Sequence, residues 1–309
     1  MAHTIYDNFY LSNEIEDQFN SHLNLQQFCQ HDDSLVGTAG MLRKINRYHA
    51  TNATQKLTMG QGNTQSIEVS FDPYEYRIQL AQNRFEYYDE QEMTDPMLVP
   101  VGVRHMGTDM FNTVNGDIFA EFNKAEKIIV TSGLGFDAFA DAQAMFNLEN
   151  LDVNFFAFVS PNDVAVLRKA LKDDLKYVES FARSGYIGTV AGTNLYTKKD
   201  AVSGTICTAT NQAVTIFNKK GVEVETPPRD SADANTRKNT IFSRKYYLVA
   251  LTDARYAVKI VKGSAAVSTD TTVDDDKKYY EQSGLGYVEV RPETGDNPAT
   301  KGWYEITAA

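Results

Sequence analysis

The sequence is poor in the residues that usually carry chemistry. Its 309 residues include two cysteines, Cys29 and Cys207, and five histidines, His3, His22, His31, His49 and His105. The cysteines are far apart, and no H-x-x-x-H pair or Cys/His cluster occurs, so no metal site is expected. Both thiols are expected as small buried hydrophobes in a chain that folds in a reducing, intracellular compartment. There is no G-x-S-x-G turn for a serine nucleophile. His105, beside Arg104 at a helix start, reads as a polar face residue rather than a general base. Val273 to Lys278, "VDDDKK", lacks the loop glycine and closing glutamate of a calcium loop and reads as a solvated turn. No catalytic, cofactor-binding or metal-ligating residue is therefore assigned.

Positive charge is scarce too. Thirty Lys and Arg stand against 41 Asp and Glu, a formal net charge of −11, which argues against a phosphate-gripping stripe over most of the surface. The weak basic clusters, Lys219-Lys220 and Arg237-Lys238 near Arg244-Lys245, read as a solvated face or as ion-pair partners for a neighbouring chain's Glu14, Glu16 and Asp17. No run approaches the roughly 18 apolar residues of a membrane span. The first residues carry no basic-then-apolar leader, so synthesis in the cytoplasm and no membrane contact are expected. Internal repeats and low-complexity tracts are lacking as well.

What is present is apolar residue in periodic order. At 42% hydrophobic the chain can bury a sizeable core, and its length suits two ordinary domains or one elongated multi-lobed body. Residues 1–45 are polar with scattered anchors, among them Phe9, Ile15, Phe19, Leu25 and Phe28. Ser12 suits the cap of a short helix bearing Ile15 and Phe19 on one face. Such an arm cannot build its own core and must lie across the body or a neighbour. Two extended arms around Met59-Gly60-Gln61-Gly62-Asn63, with alternation through Ile67, Val69 and Phe71, an Asp72-Pro73 break, and Tyr74, Tyr76, Ile78 and Leu80 beyond it, predict a long hairpin. A two-stranded hairpin of this length needs a surface to lie on.

Met106, Met110, Val114, Ile118 and Phe122 recur every four residues and predict a helix over 104–127, with a second over 136–149. Asn154 to Val159 reads as a buried strand. Ser160, Pro161 and Asp163 then predict a capped helix start with a capping box. Strands are expected at 186–197, 213–217, 246–250 and 256–261, with a polar loop from Pro227 to Asn239. The stretch 264–309 is acidic and β-leaning, with its firmest strands at Tyr287 to Val290 and Trp303 to Ile306.

One stretch imitates a cofactor site. Ile128, Ile129 and Val130 lead into Gly133-x-Gly135-x-x-Ala138 and an apolar-periodic helix, as a dinucleotide pyrophosphate would need. The residue twenty past Ala138 is Phe158, however, not a ribose-binding acid. A glycine turn is the simpler reading. On that reading the glycines permit a sharp turn, and valine at either position should damage folding or assembly, with no ligand involved.

The order of elements resembles the tailed-phage major capsid (coat) protein, with its α+β Hong Kong 97-like fold. Four stretches carry the resemblance: "QNRFEYYDEQEMTDP" with "RHMGTDMFN"; "FAFVSPNDVAVLRKAL"; "GYIGTVAGTNLY"; and the segment from Phe217 to Ile260 that contains "KYYLVALTD". They span about residues 1 to 262. The resemblance implies an N-arm (1–45), an extended loop (46–85), a peripheral domain (86–150) with its spine helix at 104–127, and an axial domain (151–255). A return to the peripheral domain (256–263) follows. Residues 264–309 depart from the family pattern and read as a small C-terminal β-extension.

It implies further a structural, non-enzymatic protein without cofactor, whose copies form the hexamers and pentamers of an icosahedral virion shell. The shell, assembled in the bacterial host's cytoplasm, would enclose double-stranded DNA without sequence-specific contact. Because the sequence opens directly on the arm, a separate scaffolding protein is expected, together with a portal and a decoration protein. Lys56, Met59, Gly60, Asn63, Tyr74, Tyr76, Phe9 and Phe19 are the expected inter-subunit contacts. Some members crosslink covalently; no matching signature surrounds Lys56, and no crosslink is assigned to it. Two alternatives stand beside this reading: an encapsulin-like compartment of the same fold, and a dinucleotide enzyme built on Gly133 and Gly135.

Overall fold

The structure, a computed structural model, describes residues 24–51, 53–148, 153–172, 188–293 and 295–308. A 3-10 turn (Leu25–Phe28) precedes β1 (Gln30–Asp32), β2 (Leu42–Ala50), β3 (Val69–Arg77) and β4 (Gln79–Tyr88). Helices α1 (Asp89–Thr94) and α2 (Leu98–Phe122) follow, then β5 (Lys127–Thr131), α3 (Phe136–Phe146), β6 (Phe155–Val159) and α4 (Pro161–Ala170). Short strands β7 (Thr189–Val190), β8 (Thr193–Thr197) and β9 (Thr205–Ala209) lead to the long β10 (Val214–Glu225), α5 (Ser231–Thr236) and β11 (Lys238–Leu251). The remaining elements are β12 (Ala257–Val267), β13 (Tyr279–Ser283), β14 (Gly286–Val290), α6 (Pro298–Lys301) and β15 (Tyr304–Ala308).

The chain divides into two compact units. Among the described residues, one holds those of 31–111 and 216–250; the other holds those of 24–30, 112–215 and 251–308. In the first, a four-stranded sheet runs β1-β10-β11-β4, with β4 antiparallel to β11 from Lys238↔Tyr88 to Tyr247↔Gln79. Odd-numbered β4 residues point inward, and the Phe85 ring sits where a side chain on Gly102 of α2 would be, 2.5 Å from an added Cβ. Glycine at 102 is a packing requirement, not a turn. Arg229 pairs with Asp89, Arg237 with Glu90, and Lys238 with Glu86, tying α1 to the α5 end of β11.

In the second unit the sheet order is β15-β13-β14-β5-β12-β9-β6-β8-β7, and β15 also pairs with β12. The pairings β12-β5-β14-β13-β15 and back to β12 thus close a ring of five strands. One core joins Phe139, Ala142 and Phe146 of α3, Leu167 of α4, and Ile129, Ala157, Ile206 and Ile260 of the sheet. A separate aromatic cluster holds Phe28, whose ring lies 4.8 Å from Phe156 and 4.6 Å from Tyr196. The Leu25 amide donates to Asn115 Oδ1, fixing that anchor. Both thiols are buried, which pushes each up to about 12 and leaves them inert.

Several expectations need correction. Helix α2 starts at Leu98 and ends at Phe122 rather than spanning 104–127, because Pro100 is harmless in a first turn and Lys127 belongs to β5. From Asn24 onward the segment expected as an arm packs on its own chain, one of the two alternatives given for it: Leu25 and Phe28 sit in the second unit, and β1 and Leu35 in the first; Ser12, Ile15 and Phe19 lie outside the described residues. Residues 127–146 and 257–267 share a sheet and core with 155–209, so no division falls at the expected 150 or 263, whereas the chain passes from one unit to the other between Ala250 and Leu251, near the expected 255, and β12 pairs with β5 as the expected return would. The second helix ends at Phe146, the 186–197 strand is two strands around an Ala191-Gly192 turn, and β10 and β11 far outrun 213–217 and 246–250. The loop expected from Pro227 to Asn239 contains α5. Residues 264–309 are no appendage: β13, β14 and β15 are staves of the main sheet.

Candidate assembly surfaces

The ribbon of β2 and β3 pairs from Leu42↔Arg77 to Ala50↔Val69. Directly opposed residues share a face. Arg43, Ile45, Tyr74 and Tyr76 make one face and are half-buried. Ile45 and Tyr76 pack on the unit's own cluster of Leu35, Ile78, Phe217, Leu248 and Ala250, and the Arg43 guanidinium lies 5.4 Å from the Phe217 ring centroid. The opposite face carries Leu42, Lys44 and Asn46 against Arg77, Glu75 and Pro73, then Phe71 and Val69. It is open to solvent: Leu42 is 42% exposed, Phe71 54% and Val69 63%. Lys44 and Glu75 form an ion pair across it at 2.5 Å, which holds the Glu75 carboxyl below its usual range.

The sequence explains the two faces. Ile67, Val69 and Phe71 occupy odd positions, Tyr74, Tyr76 and Ile78 even ones, so the phase shifts at Asp72-Pro73 and sends the two sets to opposite faces. The Asp72-Pro73 pair does not break the strand, because both strands of a ribbon are edge strands and proline is tolerated there.

Beyond the ribbon, the described residues of 51–68 make bonds among themselves. The Thr51 amide donates to the Glu68 carbonyl at 3.0 Å and the Glu68 amide to Thr51 Oγ1 at 2.9 Å. Asn63 Nδ2 donates to the Ala53 carbonyl at 3.3 Å, so Asn63 serves the loop itself. The Gln61 amide closes a turn on the Thr58 carbonyl around Gly60, whose φ of +88° needs glycine. Met59 stands fully out at this tip, with Lys56, Leu57 and Ile67 exposed nearby.

Of the sequence-based candidates, Lys56, Met59 and Gly60 therefore lie on the exposed loop and Asn63 braces it. Tyr74 and Tyr76 are on the ribbon's half-buried face, Tyr76 in contact with its own unit's cluster. Phe9 and Phe19 lie outside the described residues. Leu42, Val69 and Phe71 are large apolar residues of the exposed face; the sequence reading named Val69 and Phe71 only as strand residues and offered none of the three as a contact, and the phase shift was the signal.

The cofactor-like stretch has no dinucleotide geometry. Strand β5 and the next strand in sequence, β6, are separated in the sheet by β12 and β9, whereas a mononucleotide unit pairs them side by side. Gly133 and Gly135 face open space and neither has a positive φ, so valine fits the subunit at both, contrary to the expected damage to folding. Lys127 instead caps the end of α3, donating to the Met145 carbonyl at 2.8 Å, and its half-buried position lowers its pKa. Asp163 is buried; its amide is capped by Ser160 Oγ as expected. Its carboxylate, rather than closing a capping box, accepts from Ser203 Oγ at 2.8 Å and the Gly204 amide at 3.0 Å. Among the described residues no group of three or more His, Cys, Asp or Glu is placed to hold a metal, and no helix is long and apolar enough to cross a membrane.

No family model and no curated protein matches the sequence. Solved structures do match. The mature capsid of bacteriophage PhiM1 aligns with a TM-score of 0.58 at 13% identity over 76% of this chain and 85% of that one. The capsid of a native GTA particle gives 0.58 at 10% identity, covering 77% and 89%. A virus-like particle from Pyrococcus furiosus gives 0.54 at 12% identity, covering 81% and 97%. Across most of its length the chain has the Hong Kong 97-like fold of tailed-phage capsid structures.

Proposed function

We propose that this chain is the major capsid protein of a tailed phage, a structural subunit whose copies assemble as hexamers and pentamers into an icosahedral shell around double-stranded DNA. The fold supports the class of protein. The observation that supports assembly is the ribbon: two nine-residue strands that, among the described residues, pair only with each other and carry exposed Leu42, Val69 and Phe71, a surface suited to contact with a neighbour. In this reading the ribbon and the loop of Lys56, Met59, Gly60 and Asn63 lie on a neighbouring copy, and Phe9 and Phe19 of the arm add contacts. The unit with the four-stranded sheet is peripheral, and the nine-stranded sheet forms the axial unit at capsomer centres.

The net charge of −11 suits a wall that confines DNA without gripping it. Scaffolding, portal and decoration proteins complete the partner set, and the mature location is the virion, after assembly in the host cytoplasm. Deleting residues 55–65 tests the reading: the variant should remain a folded subunit, by circular dichroism and sizing, yet give no closed particles in negative-stain microscopy. Normal particles from the deletion would refute it. Empty shells formed by the intact chain alone, without scaffold or nucleic acid, would favour a protein compartment of the same fold.

A further inference from the structure

Strand β12 outruns its neighbours. Ala257–Val261 pairs with β9 and Val258–Lys262 with β5, but Gly263–Val267 extends past both. An overhanging strand edge is a template for pairing with another chain. Strand β15 covers it, from Gly263↔Ala308 to Val267↔Tyr304, and its Tyr304 also meets Tyr280 of β13.

The fit is specific. A Cβ on Gly263 would lie 2.0 Å from the Thr307 carbonyl oxygen and 3.0 Å from the Ala308 Cα, so glycine in this strand admits the close approach of β15. Tyr304 and Ile306 cover Ile128, Val261 and Tyr280 on the apolar side. On the polar side Ser268 Oγ donates to Glu305 Oε1 at 2.6 Å, Lys277 Nζ lies 3.3 Å from Glu305 Oε2 and 2.8 Å from Asp270 Oδ2, and the Ser268 amide donates to the Trp303 carbonyl at 2.7 Å.

We propose that the strand Tyr304–Ala308 is an edge guard: it occupies in cis a strand-accepting site on Gly263–Val267 and β13 that would otherwise pair with an extended segment of a second copy. The guard removes one strand edge from the nine-stranded sheet and so steers association toward other surfaces, the ribbon among them. The inference stands whether or not the assembled particle is a shell.

The test compares the full chain with one ended at Trp303, by sedimentation and light scattering. The shortened chain should associate at a concentration at least tenfold lower. Adding a peptide of residues 303–309, "WYEITAA", should return it to dispersed subunits, whereas a scrambled peptide should not. Ala266→Pro in the shortened chain, which removes a pairing donor, should also suppress association. In the full chain, Gly263→Val should displace the strand and reproduce the association. A shortened chain that stays dispersed would overturn the proposal. So would one that loses its cooperative melt and is rescued by neither the peptide nor the proline, since the strand would then be plain core.

Discussion

Replacing Phe71 and Val69 by serine removes the apolar centre of the ribbon's exposed face. Fully burying such side chains is worth roughly 1.5–3 kcal/mol each. With Phe71 54% and Val69 63% exposed in the single chain, that exposed part is the stabilisation a neighbour could still gain. Together it comes to about 2 kcal/mol per contact, or roughly a thirtyfold loss in the association constant of each neighbouring pair. Within the subunit both side chains are more than half exposed, so the effect on its own stability should be the smaller of the two. The double variant should therefore melt with the wild-type chain in calorimetry while needing a many-fold higher concentration to form particles. An unchanged assembly threshold would refute the reasoning. So would a large fall in melting temperature, which would mean that the face is packed within the subunit.

Glycine substitutions separate packing from turning. Gly102→Ala should cost about 1–3 kcal/mol, because its Cβ meets the Phe85 ring, whereas Gly133→Val and Gly135→Val should fold normally by thermal melt. Asp163→Ala should cost about 1–3 kcal/mol by stranding the buried Gly204 amide, measured by urea unfolding. Stability should also fall in acid. Hydrogen bonds from Arg229 to Asp89, from Lys238 to Glu86 and from Lys277 to Asp270 hold these carboxyls below their usual range. A depressed folded pKa stabilises above the unfolded value and is lost as pH drops through the folded one, so melting temperature should decline below about pH 4. Asp270→Asn should flatten that acid limb; parallel curves for variant and wild type would contradict the assignment.

Local physics was legible in the sequence and long-range pairing was not. The four-residue recurrence from Met106 to Phe122 marked the buried stripe of α2, and Ser160-Pro161 marked the start of α4, because caps and helical periods are written in neighbouring residues. The hairpin was legible as a hairpin, but its two faces depended on noticing a phase shift of one residue at Asp72-Pro73. The role of 264–309 was not legible. Its strands find partners over a hundred residues upstream in β5 and immediately before them in β12, and the signs of that fit are two glycines, Gly263 and Gly286, against foreign backbone. The glycine pair at 133 and 135 misled in the other direction, imitating a motif whose sheet neighbours are absent.

The most direct measurement is a cryo-electron microscopy map of the particles formed by this chain, at a resolution that traces strands. A closed icosahedral shell in which Leu42, Val69 and Phe71 of each ribbon are covered by a neighbouring copy is the expected result. Particles whose ribbons stand free in solvent, or a chain that remains monomeric with scaffold present, would contradict it.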